Sequence, residues 1–237
     1  MTTLICFALK EEAAPFRRIA AGQPVTAQAF SILLTGIGRH NAEKSLREFL
    51  NSCRSRGDET QTKEKLETPH VVSYEPDLVL TCGFAGGLNP DLKLGDVVFE
   101  LSTLNSQLST RLLTSGAKPA TIFCADRIAT TVAEKTRLRY ETRADAVEME
   151  SAAIHAVCAE KNIPCATVRV ISDTVGEDLP LDFNALAKPD KSLDFGKLFL
   201  AIAKSPGKIG ELMELHKKTS FAAQQLADVL AKVLVQP

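Results

Sequence analysis

Three carboxylates stand where ordinary core packing would favour apolar side chains. Glu148 and Glu150 flank Met149 just before an alanine-rich stretch, and Asp173 follows the apolar run 166–171. A buried carboxylate is costly unless it meets a partner, and such groups often mark sites of proton transfer or charge stabilisation. The alternative is a helix start whose acids favour the positive end of the helix dipole, and that alternative stays open for Glu148.

Apolar runs alternate along the chain with segments of helical spacing. The runs that predict strands are 4–9, 30–34, 78–82, 97–101, 121–124 and 166–171. Helical spacing appears at 11–20 and 41–50, from 124 to about 139, from the Glu148-Met149-Glu150 motif to about 162, and in the C-terminal part. Such alternation indicates a largely parallel sheet covered by helices on both faces. We therefore predict one domain over 1–237, with a polar loop at 51–70 and little periodicity over 102–120.

The residues with chemical potential fall where these strands end. They are Glu11 and Glu12 after the first strand, Gly36 and Gly38 after the second, Gly83 to Gly87 after the third, and Asp173 after the last. In open α/β sheets, ligands bind at the carboxyl ends of the strands. The sequence therefore predicts an active site at this edge.

Composition limits the classes of function. A formal net charge of −1 gives no case for a nucleic-acid or membrane-surface partner. The 6 cysteines contain no C-x-x-C pair, which indicates reduced thiols in a cytoplasmic protein. The 4 histidines lack metal-ligand spacing, so no metal site is expected. No apolar stretch approaches about 18 residues, so no transmembrane helix is expected.

Five short motifs carry a resemblance to a known family. They are Ala8-Leu9-Lys10-Glu11-Glu12, Thr35-Gly36-Ile37-Gly38, Gly83-Phe84-Ala85-Gly86-Gly87-Leu88 with Gly95-Asp96, Val147-Glu148-Met149-Glu150, and Ile171-Ser172-Asp173. Together they resemble the nucleoside phosphorylase and nucleosidase superfamily, and within it the 5′-methylthioadenosine/S-adenosylhomocysteine nucleosidases. The resemblance implies a three-layer αβα sandwich with a mixed, mostly parallel central sheet.

The resemblance also implies a reaction, the cleavage of the N-glycosidic bond of a purine nucleoside with an adenine-type base. Glu150 would accept hydrogen bonds from the ribose hydroxyls, with Met149 packed under the sugar. Asp173 would donate a proton to purine N7, a role that an apolar environment would favour because it keeps the carboxyl group protonated. Glu12 would be the general base on the attacking water, and the adjacent Glu11 is the alternative. No cofactor is implied.

Further residues are implied as substrate contacts. They are Glu148, Phe84, Ala85, Gly86, Ile128 and Ser172. Phe84 departs from the family, in which a small hydroxyl residue is common at that position, and a phenyl ring cannot donate a hydrogen bond to phosphate. The span between Glu100 and Thr121 is also short for the family. Arg39 and Gly38 are the candidates for a phosphate site.

Two alternatives to hydrolysis stay open. The first is a phosphorylase that uses inorganic phosphate as co-substrate, and the second is a non-catalytic nucleoside-binding or storage protein. The family resemblance also implies a homo-oligomer, with a dimer favoured.

Overall fold

A computed structural model describes residues 2–22, 30–55, 75–100, 106–186 and 207–234. The strands are β1 (Thr3–Phe7), β2 (Phe30–Leu34), β3 (Leu78–Gly87), β4 (Val97–Phe99), β5 (Lys118–Pro119), β6 (Ile122–Cys124), β7 (Ala146–Glu148) and β8 (Cys165–Asp173). The helices are α1 (Lys10–Ala21), α2 (Arg39–Ser55), α3 (Ser106–Thr114), α4 (Val132–Thr142), α5 (Ser151–Glu160), α6 (Phe183–Leu186) and α7 (Lys208–Leu234).

The strands form an eight-stranded sheet that is mostly parallel. Its main order is β2–β1–β3–β8–β4–β5, and β7 joins β3 on one side and β6 on the other. The β3–β7 and β4–β8 pairs are antiparallel, and the remaining pairs are parallel. The predicted mixed, mostly parallel sheet is confirmed.

Helices cover the sheet on both faces, because successive strand residues point to opposite sides. Ile5 and Phe7 of β1 pack in a core with residues of α1, α3 and α7. Leu4 and Cys6 pack in a second core with residues of α2 and α5. β1 therefore carries apolar side chains toward both helical layers, and the predicted three-layer αβα sandwich is confirmed.

The predicted loop at 51–70 and the span 102–120, in which little periodicity was found, both contain helix. Helix α2 continues to Ser55, so 51–55 of the predicted 51–70 loop is helical, and 56–70 lies outside the described residues. The span 102–120 contains α3, which the Ser- and Thr-rich sequence obscured. Leu108 and Leu112 lie one turn apart on α3 and are buried in the core that includes α7. That i, i+4 pair was the overlooked signal.

The glycine-rich segment after 82 is strand rather than turn. β3 runs on through Gly83 to Gly87, and Gly86 and Gly87 pair with β7. The end of a strand is easily missed where it is rich in glycine, since glycine weakens strands and often marks the close approach of another group. The extension brings the backbone of β3 next to the side chains of Glu12 and Asp173.

Candidate active site

Glu12 is buried at the start of α1, and its carboxylate is fixed by two backbone groups. Oε2 accepts a hydrogen bond from the N–H of Leu9 at 2.8 Å, and Oε1 accepts one from the N–H of Phe84 at 2.8 Å. Burial raises the pKa of Glu12 to about 7, and the nearby charge of Glu150 adds to the rise. Glu11 is exposed. Of the two adjacent acids, Glu12 is therefore the one that faces the interior.

Gly83 is required by the close approach of Glu12. A Cβ atom at Gly83 would lie 2.6 Å from Oε1 of Glu12, and the backbone of Gly83 has a φ of +150°. Any side chain at this position would displace the carboxylate. The first glycine of the motif therefore makes room for a functional group.

Glu150 connects the glycine turn after β2 with the start of α5. Its Oε1 accepts a hydrogen bond from the N–H of Gly38 at 2.7 Å. Gly38 has a φ of +85°, a conformation that favours glycine. Burial and the charge of Glu148 raise the pKa of Glu150. The neighbouring Met149 is also buried.

The carboxylate of Glu148 accepts hydrogen bonds from the start of α5 and from a buried arginine. Its carboxylate accepts hydrogen bonds from the N–H groups of Glu150 and Ser151 at 2.9 Å and from the Ser151 hydroxyl at 2.6 Å. It also accepts one from the guanidinium of Arg169. Burial opposes ionisation, but Arg169 and these hydrogen bonds together lower the pKa of Glu148 to about 2. The geometry of Glu148 agrees with the alternative interpretation of this residue as an acid at a helix start, because its carboxylate oxygens accept hydrogen bonds from groups of the protein itself.

Arg169 is a site residue that the sequence reasoning missed. It is 1% exposed in β8, and its Nη2 donates to the Thr81 hydroxyl at 3.0 Å and to Glu148. The same nitrogen lies 3.8 Å from Oε2 of Glu150. Burial disfavours the charge of Arg169, but the two carboxylates outweigh it and raise its pKa. An arginine inside an otherwise apolar strand was the available signal, because a buried charge needs partners.

Asp173 lies beside a buried ammonium group rather than in the predicted apolar environment, and that prediction was wrong. Nζ of Lys135, on α4, is 2.5 Å from Oδ2 of Asp173, and the Lys135 side chain is 0% exposed. The Ser172 hydroxyl donates to Oδ1 at 2.7 Å, with the Ala85 carbonyl as a second acceptor at 3.3 Å. Lys135 was missed because it lies among exposed and half-buried residues of a helix with little amphipathic pattern.

A register shift between β3 and β8 sets the positions of Ser172 and Asp173. Ala85 pairs with Ile171 but Gly86 pairs with Asp173, so Ser172 is an extra residue in β8. A Cβ atom at Gly86 would lie 3.3 Å from Oδ2 of Asp173. The geometry is that of a β-bulge, a feature that re-aims side chains next to functional sites.

The loop around Ile128 is fixed by neighbouring side chains. The Asn184 amide accepts from the N–H of Ile128 and donates to its carbonyl, both at 2.9 Å. Arg39 donates to the carbonyl of Cys124 and lies 3.2 Å from the Asp126 carboxylate. Arg39, the candidate for phosphate, is therefore engaged with this loop.

The carboxyl end of β3 adjoins three of the predicted side chains, those of Glu12, Ser172 and Asp173. Phe84 binds Glu12 through its N–H, Ala85 faces the Ser172 hydroxyl, and Gly86 adjoins Asp173. The phenyl ring of Phe84 packs against the core formed with α1 and α7. Arg169 contacts the carboxylate of Glu148 and lies 3.8 Å from that of Glu150.

Within the described ranges, no group of three or more His, Cys, Asp or Glu residues is arranged to hold a metal ion. In the same part of the chain, no helix has both the length and the apolar character to span a membrane. Within the described residues, the candidate site consists of buried carboxylates, the buried cations Lys135 and Arg169, and the backbone of β3.

Comparisons with known proteins agree with the motifs. Residues 102–204 match the family model described as Phosphorylase superfamily. The chain is 27% identical to a 5′-methylthioadenosine/S-adenosylhomocysteine nucleosidase of Shewanella sediminis, over 48% of this chain and 64% of that protein. It is 28% identical to an aminodeoxyfutalosine nucleosidase of Campylobacter jejuni, over 53% of this chain and 55% of that protein. The chain thus spans less than two thirds of the length of these relatives.

Solved structures share the fold. A futalosine hydrolase of Helicobacter pylori superposes with a TM-score of 0.64 at 18% identity, covering 100% of this chain and 98% of that chain. A 5′-methylthioadenosine/S-adenosylhomocysteine nucleosidase of Colwellia psychrerythraea, in complex with adenine, gives a TM-score of 0.64 at 18% identity, covering 100% and 95%. The predicted resemblance to the nucleoside phosphorylase and nucleosidase superfamily is confirmed.

Proposed function

We propose that this chain, a relative of the nucleoside phosphorylase superfamily, hydrolyses the N-glycosidic bond of a purine nucleoside with an adenine-type base. The observation that carries the proposal is the carboxylate of Glu12, buried and fixed by the N–H groups of Leu9 and Phe84. Its pKa of about 7 suits a base that takes a proton from water at neutral pH. The reaction takes nucleoside and water and needs no cofactor.

Glu150 stabilises the sugar as the bond to the base breaks. The anomeric carbon gains positive character in the transition state, and a nearby carboxylate favours that charge. The hydrogen bond from Gly38 and the proximity of Arg169 orient Glu150. Its Oε2 lies 3.8 Å from Arg169, longer than a hydrogen bond, which supports a role for this oxygen toward the ribose hydroxyls.

Asp173 assists departure of the base. In this proposal its carboxyl group gives a proton to purine N7, so that the base leaves as a neutral molecule. Ser172 supports the transfer, because its hydroxyl has two acceptors, Oδ1 of Asp173 and the carbonyl of Ala85. Rotation of the hydroxyl toward Ala85 would leave Oδ1 able to carry the proton.

Water is favoured over phosphate as the nucleophile. The two groups predicted for a phosphate site are engaged elsewhere, since the N–H of Gly38 donates to Glu150 and Arg39 binds Cys124 and Asp126. A phosphate would have to displace these contacts, and it would approach the carboxylates of Glu12 and Glu150. Both features support hydrolysis.

One assay tests the proposal against its alternatives. The chain is incubated with 5′-methylthioadenosine, adenosine and inosine, with and without inorganic phosphate, and free base and sugar products are separated by chromatography. Release of adenine without phosphate is expected. Release that requires phosphate, with ribose 1-phosphate as product, would replace the proposal with a phosphorylase. Binding without any release would favour a non-catalytic nucleoside-binding protein.

A matched pair of variants tests the general base. Glu12→Gln removes the proton acceptor and should lower kcat by about 10²-fold or more. Glu11→Gln makes the same change on the exposed neighbour and should leave kcat close to the parent value. Equal losses in both variants would count against Glu12 as the base.

A further inference from the structure

Lys135 is a fully buried lysine whose three hydrogen-bonding positions are all used. Nζ lies 2.5 Å from Oδ2 of Asp173, 2.8 Å from the carbonyl of Thr174 and 2.9 Å from the carbonyl of Glu177. An ammonium group has three donors and no acceptor. Lys135 therefore joins α4 to the carboxyl end of β8, and its charge is directed at one oxygen of Asp173.

The geometry divides the two oxygens of Asp173 between different partners. Lys135 holds Oδ2, while within the described residues Oδ1 meets only the rotatable hydroxyl of Ser172. A carboxyl group that gives up a proton becomes negative, and a cation at 2.5 Å favours that product. The opposite electrostatic effect would come from an apolar neighbour.

We propose that Lys135 is a positioning residue for the leaving-group acid: it fixes Asp173 through Oδ2, presents Oδ1 to the base, and stabilises the carboxylate that remains after proton transfer. The inference rests on the proposed function. In the step itself, the electron pair of the N-glycosidic bond moves to the purine, and the proton of Asp173 passes to N7. Water oxygen bonds to the anomeric carbon and loses a proton to Glu12. Lys135 keeps all its protons throughout.

Other charges face the same carboxyl group and must be considered in any pH experiment. A cavity of about 150 Å³ next to Asp173 is lined by charged side chains of the following loop and of α7. They are Glu177, Asp178, Glu211, Glu214 and Lys218. Lys218 is 2.5 Å from Glu177, so its charge is directed at that carboxylate and not at Asp173. Lys135 is therefore the cation in direct contact with the acid.

The first test is a comparison of pH–rate profiles for Lys135→Met, Lys135→Arg and the parent chain with the purine nucleoside it cleaves. Loss of the charge should lower kcat by about 10-fold to 100-fold. It should also move the alkaline limb of the profile to higher pH by about one unit or more, because a carboxyl group without a cation beside it keeps its proton longer. Lys135→Arg should keep the limb near the parent position. A Lys135→Met profile that only scales down, without a shift, would overturn the proposal.

The second test is a double-mutant cycle with Asp173→Asn. If Lys135 acts through Asp173, adding Lys135→Met to Asp173→Asn should change kcat by less than about two-fold. A further loss of about ten-fold would indicate a separate structural role and contradict the proposal. This comparison also covers the case in which Lys135→Met alone does not fold, because the double variant leaves no uncompensated buried carboxylate.

A surface variant and the parent chain complete the experiment. Lys118→Met removes an ammonium that pairs with Asp96 at 2.7 Å, and its pH profile should match the parent profile. A parent chain that cleaves no nucleoside would refute the proposed function and this inference together. A parent chain that cleaves, with additive losses in the cycle, would refute the role of Lys135 alone.

Discussion

Oε1 of Glu150 lies 2.7 Å from the backbone nitrogen of Gly38, a residue 112 positions earlier in the chain. The contact joins the turn after β2 to the start of α5, and neither segment could orient this carboxylate alone. It also satisfies the N–H that a phosphate site would need. In the proposed function, this hydrogen bond both orients Glu150 and disfavours phosphate as the nucleophile.

Replacing Glu150 by Gln should separate charge from shape. The amide oxygen of Gln can still accept from Gly38, but the negative charge beside the sugar is lost. We expect kcat to fall by about 10²-fold, because charge stabilisation in the transition state is removed. Steady-state kinetics would measure the loss, with Glu43→Gln on α2 as control. Parent-like kcat in Glu150→Gln would show that the charge is not used.

Glu12 should produce the acidic limb of the pH profile. Burial raises its pKa to about 7, and it accepts a proton only when ionised, so kcat/KM should increase as the pH rises through about 7. In Glu12→Gln the remaining activity should lack this limb. A parent limb near pH 4.5, the ordinary value for glutamate, would show that the site does not perturb Glu12 as the structure indicates.

The same group should make stability depend on pH. A pKa raised in the folded state gives stability that is complete below the ordinary value of 4.5 and is lost as the pH rises through about 7. The difference between the ordinary pKa of 4.5 and the raised pKa of about 7 corresponds to about 3 kcal/mol of folding free energy. Between about pH 5 and pH 8, the free energy of unfolding of Glu12→Gln should therefore rise relative to that of the parent, as measured by chemical unfolding. A constant difference between the two would contradict this linkage.

Gly83→Ala should displace the general base without touching its chemistry. The new Cβ would lie 2.6 Å from Oε1 of Glu12, so the carboxylate has to move. A displacement of this kind lowers kcat by about 10²-fold. Gly22→Ala is the control, because the nearest atom to its Cβ would be 3.7 Å away and its φ is −88°. Kinetics on the two variants would distinguish crowding at the site from a general effect of losing glycine.

Glu148→Gln should act mainly on folding. It removes the charge that faces Arg169, which is 1% exposed, and breaking a buried ion pair costs about 3–5 kcal/mol. The unfolding free energy from denaturant titration would measure the loss. Glu160→Gln breaks an exposed pair with Arg47 and should change the midpoint far less. Similar midpoints for both variants would argue against the buried pair as a structural element.

Local patterns in the sequence predicted the layers of the fold and the main carboxylates. The bounds of β2 follow from five apolar or small residues between polar segments, and the buried position of Glu12 follows from its place after β1. Such patterns are set by residues that are close together in the sequence, so they can be recognised without knowing the fold.

The cations of the site depend on contacts between distant segments. Lys135 contacts Asp173, which is far from it in the sequence, and the residues around Lys135 in its helix are exposed or half-buried. Arg169 meets Glu148 only because β7 and β8 both border β3. Arg169 could have been noticed as a charge inside a predicted strand, but its partner could not be named, and no sequence pattern separates Lys135 from the other lysines and arginines among the 28 of the chain.

The register shift in β8 has a consequence for chain length. Ala85 pairs with Ile171 and Gly86 with Asp173, so the ladder would run without interruption if Ser172 were deleted. A chain shortened by that one residue would keep every backbone pair on either side and every charged group of the site. What it would lack is the hydroxyl beside Asp173. The strand is one residue longer than its sheet requires, and the surplus residue carries the hydroxyl that donates to Asp173.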